Sequence, residues 1–319
     1  MRRLRSADWP HAMVVASATA SSIACGRFGF VDAPDGAIDV PNVIDASTCF
    51  GKPFGAAQPV AMIHQAGYDD WGGSPTANGS ELYFHSFRPA ALAGANIFVA
   101  KGTAPNSYGI PELVMELSTG GAEFQPTVTA DGLDVIFAAD MGLPYLLELY
   151  ESQRASTTTA WSPPARIAEL GTDAQHQLDP WLTADGLALY YGIGPDLNNA
   201  KLYRATRASR QSMWNGPVLV PGIQGAGPFA VSPTLSPDER EIWFATDLDS
   251  PGNLDIVTAR RPDRDSPFGA LERVMPLNTP ADDAALHLSV DGRYLYLVEN
   301  TDYVVGGNAT ISVATRICE

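Results

Sequence analysis

Basic residues are scarce in this chain. Lys and Arg number 20 against 36 Asp and Glu, so the formal net charge is −16 over 319 residues. A surface with such an excess of carboxylates repels nucleic-acid phosphates and anionic lipid headgroups. We therefore expect no nucleic-acid partner, and contact with a membrane only through a lipid anchor, if the chain carries one.

Several motifs of known chemistry are also missing. Outside the N-terminal region no segment is long and apolar enough to span a bilayer. The histidines show no zinc-ligand spacing, no serine lies in a nucleophile-elbow motif, and no Gly-rich phosphate loop follows a strand. No metal or cofactor is therefore predicted. The chain has 29 Gly and 25 Pro, which favours many turns over long helices.

Cysteine is rare, with three residues, and the first belongs to an N-terminal targeting pattern. Three arginines within residues 2–5 precede a mildly apolar stretch, residues 12–20, and Ser22-Ile-Ala-Cys25 then resembles a bacterial lipoprotein signal. We predict a signal peptide over 1–24, lipidation at Cys25 and a linker over 25–49. The alternatives are cleavage after Ala24, which gives a secreted protein, and an N-terminus without a targeting role. The predicted location is the periplasm or the outer membrane or cell surface, or else the medium.

A repeat occupies the rest of the chain. A reference position recurs at intervals of 53, 54, 53 and 53 residues: Gly73, Pro126, Pro180, Pro233 and Leu286. Five residues later comes a hairpin-turn dipeptide, Asn-Gly, Asp-Gly or Asp-Glu, in every copy. The clearest copy is residues 232–261, which reads as three short strands joined by turns.

Other positions keep the same register. Bulky second-strand pairs recur at 83–84, 136–137, 190–191, 243–244 and 296–297. A basic residue closes each third strand: Lys101, Arg154, Arg207, Arg260 and Arg316. An aromatic residue opens each fourth strand, and a β-branched residue follows six positions later: Phe54, Tyr108, Trp161, Trp214 and Phe268. Each unit therefore has four strands whose apolar faces must pack on neighbouring units.

Five such units predict an all-β fold over residues 50–319, a five-bladed β-propeller of four-stranded antiparallel blades. The last copy ends before its own fourth strand, whereas an extra fourth strand begins at Phe54. We predict that this N-terminal outer strand closes the ring on the last blade. Closure would bring Cys49 and Cys318 together, so they form either a disulfide in an oxidising compartment or two free thiols.

Residues 232–261, with Pro-Thr-Leu-Ser-Pro-Asp, Trp-Phe-Ala-Thr-Asp and Asp-Ile-Val-Thr-Ala-Arg-Arg, resemble the WD-repeat-like propeller repeat of the TolB type. The resemblance covers residues 50–317. TolB has six blades and an extra N-terminal domain, so its particular partners do not carry over. The resemblance implies a non-catalytic propeller of the bacterial cell envelope that binds a protein or glycan partner.

Candidate ligand-binding residues lie where the chain enters each first strand, because these loops converge at the channel mouth of a propeller. They are Asp70, Glu123, His176, Gln177 and Asp283. One interpretation is a carboxylate ring that holds a divalent cation, a cationic ligand or a sugar. Another is a set of solvated turn residues. A third is a glycoside hydrolase, which needs an acid and a base or nucleophile on separate blades.

Overall fold

Five separate antiparallel sheets make up the fold. The computed structural model describes residues 51–65, 67–89, 94–104, 106–140, 145–172, 174–223, 225–249, 252–301 and 309–317. Four sheets have four strands and the first has a fifth, short strand. Strand order follows the chain except in the last sheet, whose outer strand is N-terminal. Together the sheets form a five-bladed β-propeller, which confirms the predicted fold. The signal peptide, the linker, Cys25, Cys49 and Cys318 lie outside the described residues, so those assignments stay predictions. The described residues contain no helix long and apolar enough to cross a membrane.

Each blade has an inner, a second, a third and an outer strand, counted from the axis outward. In blades 1 to 5, the inner strands are Asp70–Pro75, Ala122–Val128, His176–Leu182, Ala230–Leu235 and Asp282–Leu288. The second strands are Glu81–Ser86, Asp134–Asp140, Ala188–Asp196, Glu241–Thr246 and Tyr294–Thr301. The third strands are Asn96–Ala104, Leu147–Gln153, Asn199–Thr206, Asp255–Arg260 and Ile311–Thr315. The outer strands are Glu112–Leu113, Ala165–Arg166, Val218–Leu219, Glu272–Arg273 and Gln58–Pro59. Blade 1 also pairs Ser107–Tyr108 with the end of its third strand. Short 3-10 helices follow three outer strands, at Met115–Leu117, Ala168–Leu170 and Met275–Leu277.

The N-terminal strand closes the ring, as predicted. Gln58 and Pro59 pair antiparallel with Val313 and Ser312 of the third strand of blade 5. Phe54 extends this contact through a bridge to Arg316. The first and last parts of the described chain therefore share one sheet, which removes an open seam between blades 5 and 1.

The turn between the inner and second strands needs a left-handed residue, which explains the repeated dipeptide. Its second residue has a positive φ in all five blades: Gly79 (67°), Gly132 (68°), Gly186 (75°), Glu239 (56°) and Gly292 (69°). Four glycines adopt this conformation without a Cβ clash, and Glu239 is the exception. The bulky second-strand pairs that follow are buried between blades, as expected of packing positions.

An arginine stacks on the aromatic residue before the outer strand in four blades; in blade 4 it is Arg261, while Arg260 ends the third strand as predicted. The guanidinium carbon lies 4.4 Å from the ring centroid of Trp161 for Arg154, 4.3 Å from Trp214 for Arg207, 4.4 Å from Phe268 for Arg261 and 4.5 Å from Phe54 for Arg316. Arg260 and Lys101 instead pair directly across from Glu241 and Glu81, one residue before this position. The stacking arginine of blade 4 is therefore Arg261, and blade 1 has Gly102 there. The doubled arginine at 260–261 hid the offset in the sequence.

Candidate functional site at the propeller axis

A ring of irregular backbone surrounds the axis. Every inner strand shifts register around the residue before the reference position. That residue has a positive φ in each blade: Gly72 (69°), Gln125 (47°), Asp179 (48°), Ser232 (52°) and Ala285 (58°). We call these five the bulge residues. Non-glycine residues adopt this conformation at a cost of about 1–3 kcal/mol, and such positions cluster at functional sites.

The bulge residues line a cavity on the axis, which we call the axial pocket. It has room for about one group the size of a water molecule and is open to solvent. The remaining lining residues are Pro126, Pro180, Pro233, Leu286 and His287. Trp181 in blade 3 and His287 in blade 5 directly follow the reference residues of their blades. Their ring centroids are 6.4 Å apart. Because blades 3 and 5 are not neighbours, these rings approach each other across the axis and narrow the channel there.

One carboxylate dominates the chemistry of the axial pocket. Ser232 Oγ donates a hydrogen bond to Asp179 Oδ2 at 2.6 Å, and Ala285 N donates to Ser232 Oγ at 3.1 Å. This chain of contacts joins blades 3, 4 and 5. Burial raises the pKa of Asp179 to about 6, although the hydrogen bonds from Ser232 act to lower it. Asp179 therefore changes charge just below neutral pH.

Gln125 fills the side of the pocket next to blade 1. A Cβ on Gly72 would collide with Gln125 Oε1, so the glycine leaves room for this amide. The backbone N–H of Gln125 donates to His85 Nδ1 at 3.1 Å, which holds the bulge in place. Burial among aromatic rings lowers the pKa of His85 to about 3, so its ring is neutral and can accept this bond.

The residues predicted from sequence lie at one level, at the start of the inner strands, and all are buried. Asp70 accepts two hydrogen bonds from the Arg88 guanidinium, at 2.8 and 3.0 Å. Glu123 accepts from the N–H and hydroxyl of Thr119, at 2.8 and 2.7 Å. Asp283 makes the equivalent contacts with Thr279, at 2.5 and 3.1 Å. Glu123 and Asp283 thus fix the loops that lead into their own strands, whereas Asp70 ties its strand to the loop after the second strand of blade 1.

The two remaining candidates in blade 3 join it to blade 2. Gln177 Oε1 accepts from Leu149 N at 2.8 Å, and His176 Nδ1 accepts from Leu147 N at 3.2 Å. Burial lowers the pKa of His176, whereas Asp196 and Asp140 act to raise it. Among the residues that the structure describes, no group of three or more His, Cys, Asp or Glu is placed to hold a metal ion. The ligand role of these five residues stays a prediction.

Sequence reasoning missed Asp179, although a signal was present. Asp179 lies one residue before the reference position, where the five blades carry five different residue types. The positions at which one residue type repeats are those that build the blades, so the repeat pattern pointed to them and not to Asp179. A position that the backbone holds constant while its side chain varies is a better place to look for a site.

The fold is shared with propellers of known crystal structure, which differ widely from this chain in sequence. Zg3597, a family 117 glycoside hydrolase of the marine bacterium Zobellia galactanivorans, matches with a TM-score of 0.56 and 10% identity over 84% of this chain and 91% of its own. The α-L-arabinofuranosidase PaAbf62A from Podospora anserina matches with a TM-score of 0.53 and 11% identity, covering 83% of this chain and 97% of its own. TolB from Acinetobacter baumannii matches with a TM-score of 0.45 and 16% identity, over 78% of this chain and 55% of its own. No family model and no curated protein matches the chain. At these identities the likeness to the two glycoside hydrolases shows the fold alone, and the TolB match carries no argument.

Proposed function

We propose that this protein is a non-catalytic, exported propeller of the bacterial cell envelope that binds a ligand or protein partner at the axial pocket. The observation that carries the proposal is the composition of the pocket. Among the described residues that line it, Asp179 is the single carboxylate. Glycoside hydrolysis by the usual routes needs two carboxyl groups about 5–10 Å apart across the substrate. A single carboxylate suits recognition better than hydrolysis.

The contacts of the other candidate carboxylates support the same proposal. Asp70 is held by the Arg88 guanidinium, and Glu123 and Asp283 are capped by Thr119 and Thr279. A catalytic carboxyl group must reach the bond that it protonates or attacks. To do so, each of these three would have to leave hydrogen bonds that hold its own blade together.

A carbohydrate-active enzyme is the second candidate. The observation that favours it is Asp179 itself, whose pKa of about 6 and left-handed backbone are features of catalytic acids. In that role Asp179 would protonate the leaving oxygen of a glycoside, and Glu123 would be a candidate partner, since burial raises its pKa despite the Thr119 hydrogen bonds.

Incubation of the full-length protein with a glycan panel separates the two candidates. Retention on immobilised glycans and release of reducing sugar are measured for the parent protein, Asp179→Asn and Glu123→Gln. Asp263→Asn, in an exposed turn, is the matched control. We expect no release of sugar by any of the four proteins. Turnover by the parent that is lost in Asp179→Asn and kept in Asp263→Asn would establish the enzyme instead.

Export and anchoring are tested by labelling cells with palmitate. The proposal expects label on the parent protein and none on Cys25→Ala, whereas Cys49→Ala keeps it. Equal labelling of Cys25→Ala and the parent would exclude this anchor, and unlabelled protein in the medium would indicate secretion.

A further inference from the structure

Asp179 differs in its partners from the buried carboxylates that form ion pairs. Asp70 is paired with Arg88, Glu81 with Arg154 and Glu241 with Arg316. Among the described residues, Asp179 belongs to no ion pair, and its hydrogen bonds come from Ser232 alone. A buried carboxylate normally has a cationic partner or several donors. Glu123 is likewise held by one residue, Thr119, but among the described residues Asp179 is the carboxylate that lines the axial pocket, so a ligand that enters can reach it.

The walls of the axial pocket supply few hydrogen-bond donors to the Asp179 carboxylate. Three of the five reference residues in the lining are proline, which has no backbone N–H: Pro126, Pro180 and Pro233. Ser232 already donates its hydroxyl proton to Asp179 and accepts from Ala285 N. Gln125 adds an amide oxygen beside Gly72. The pocket thus offers the Asp179 carboxylate, the Gln125 amide and the neutral ring of His287, whose pKa burial lowers to about 3.

We propose that the axial pocket binds a positively charged hydrogen-bond donor, of the class of a primary ammonium group. The inference rests on the proposed binding function and names the ligand chemistry that it would take. An ammonium group has three N–H donors, which match the oxygens of Asp179 and Gln125, and its charge supplies the partner that Asp179 lacks. Calcium fits less well, because it takes six to eight oxygen ligands and usually several carboxylates.

The size of the pocket limits the ligand to a small group or the end of a chain. Its floor has room for about one group the size of a water molecule, and an ammonium group is of that size. Trp181 and His287 narrow the channel beyond it. The ammonium group would therefore enter from the open mouth, and the rest of the ligand would remain outside.

The test is a titration of the full-length protein with methylammonium chloride at pH 7.5 and constant ionic strength, followed by NMR of the amides in the inner strands. Tetramethylammonium, which has the charge but no N–H, and sodium chloride are the competing probes. We expect saturable shifts at Gln125, Asp179 and Ser232 with methylammonium alone. Equal shifts with sodium would assign the pocket to a metal cation, and equal shifts with tetramethylammonium would show charge attraction without hydrogen bonding. Either result overturns the inference.

Variants connect the binding to Asp179. Asp179→Asn keeps the shape and removes the charge, and we expect it to weaken methylammonium binding at least tenfold, whereas Asp263→Asn leaves it unchanged. The affinity of the parent protein for methylammonium should fall as the pH is lowered through about 6, where Asp179 gains its proton. Unchanged binding by Asp179→Asn, or no binding by the parent, refutes the inference while the non-catalytic function stands. Asp179-dependent release of sugar refutes the function itself, so the two failures are distinguishable.

Discussion

Arg154 joins two blades, and its removal should cost more than the loss of any single surface ion pair. Its side chain is 5% exposed and lies in contact with the Glu81 carboxylate of blade 1, which is 9% exposed. Its Nε donates to Gly132 O at 2.6 Å, and its guanidinium lies 4.4 Å from the centroid of Trp161. One arginine thus supplies a charge, a hydrogen bond and a stacking surface at the same interface.

Arg154→Ala leaves the carboxylate of Glu81 buried without a cation. Breaking a buried ion pair in this way costs about 3–5 kcal/mol. Loss of the contact with Trp161 adds about 0.5–2 kcal/mol. Because these contributions overlap, we expect the free energy of unfolding to fall by about 3–5 kcal/mol. The double variant Arg154→Met with Glu81→Gln keeps the volume and removes both charges, so it should recover at least half of the loss.

Urea unfolding followed by tryptophan fluorescence measures these differences. The control is Lys101→Ala, because Lys101 and Glu112 form a 3.4 Å ion pair with side chains 67% and 65% exposed. That variant should lose less than about 1 kcal/mol. A loss of less than 1 kcal/mol for Arg154→Ala, or no recovery in the double variant, would refute the assignment of Arg154 to a buried interblade contact.

Three further predictions concern other parts of the ring. Burial raises the pKa of Asp179 from about 4 to about 6, so its ionisation lowers stability as the pH rises from about 4 to about 6, and the loss is complete above that. Asp179→Asn should be more stable than the parent by about 1–3 kcal/mol at pH 8 and equal to it below about pH 4, as thermal unfolding at both pH values will show. Burial lowers the pKa of His85 to about 3, so its contribution to the free energy of unfolding is complete above about pH 6.5 and declines as the pH falls toward 3. In His85→Gln the free energy of unfolding should fall with pH less steeply, by up to about 1.4 kcal/mol per pH unit. An unchanged slope would contradict this. Phe54→Ala removes the ring beneath Arg316 and beside Trp243 and should cost about 3–5 kcal/mol in urea unfolding, whereas Met62→Ala, 54% exposed on the same N-terminal segment, should cost little.

The sequence predicted the architecture because each blade repeats the residues that its backbone requires. The left-handed turn favours glycine, so Gly79 and its equivalents recur with a fixed spacing. The extra strand predicted after Phe54 indicated how the ring closes, and the pairing of Gln58 with Val313 confirms it. Local geometry and side-chain type are linked at these positions, so a pattern in one indicates the other.

The contacts at the axis could not be predicted in the same way. Spacing placed Asp70, Glu123 and Asp283 at equivalent points of three blades, but it gave no information on Arg88, Thr119 or Thr279, which engage them. Thr119 and Thr279 do repeat, four residues before their carboxylates in blades 2 and 5, but Arg88 follows the second strand of blade 1, where no repeated position marks it. The inner-strand bulge was also hidden, because glutamine, aspartate, serine and alanine have no sequence preference for it that resembles the preference of glycine for a turn.

The bulge residues show why side chains at the axis deserve functional tests. Their backbone conformation is the same in five blades, and glycine, which adopts it without strain, is present once, at Gly72. Stability of the backbone alone would favour glycine in all five. Ser232 and Asp179 offset part of their strain by hydrogen-bonding to each other, but this pair leaves the carboxylate without a positive partner. Asp179 therefore lowers the stability of the free protein in two ways, through its backbone strain and through its unpaired negative charge. A bound cation would remove the cost of the unpaired charge.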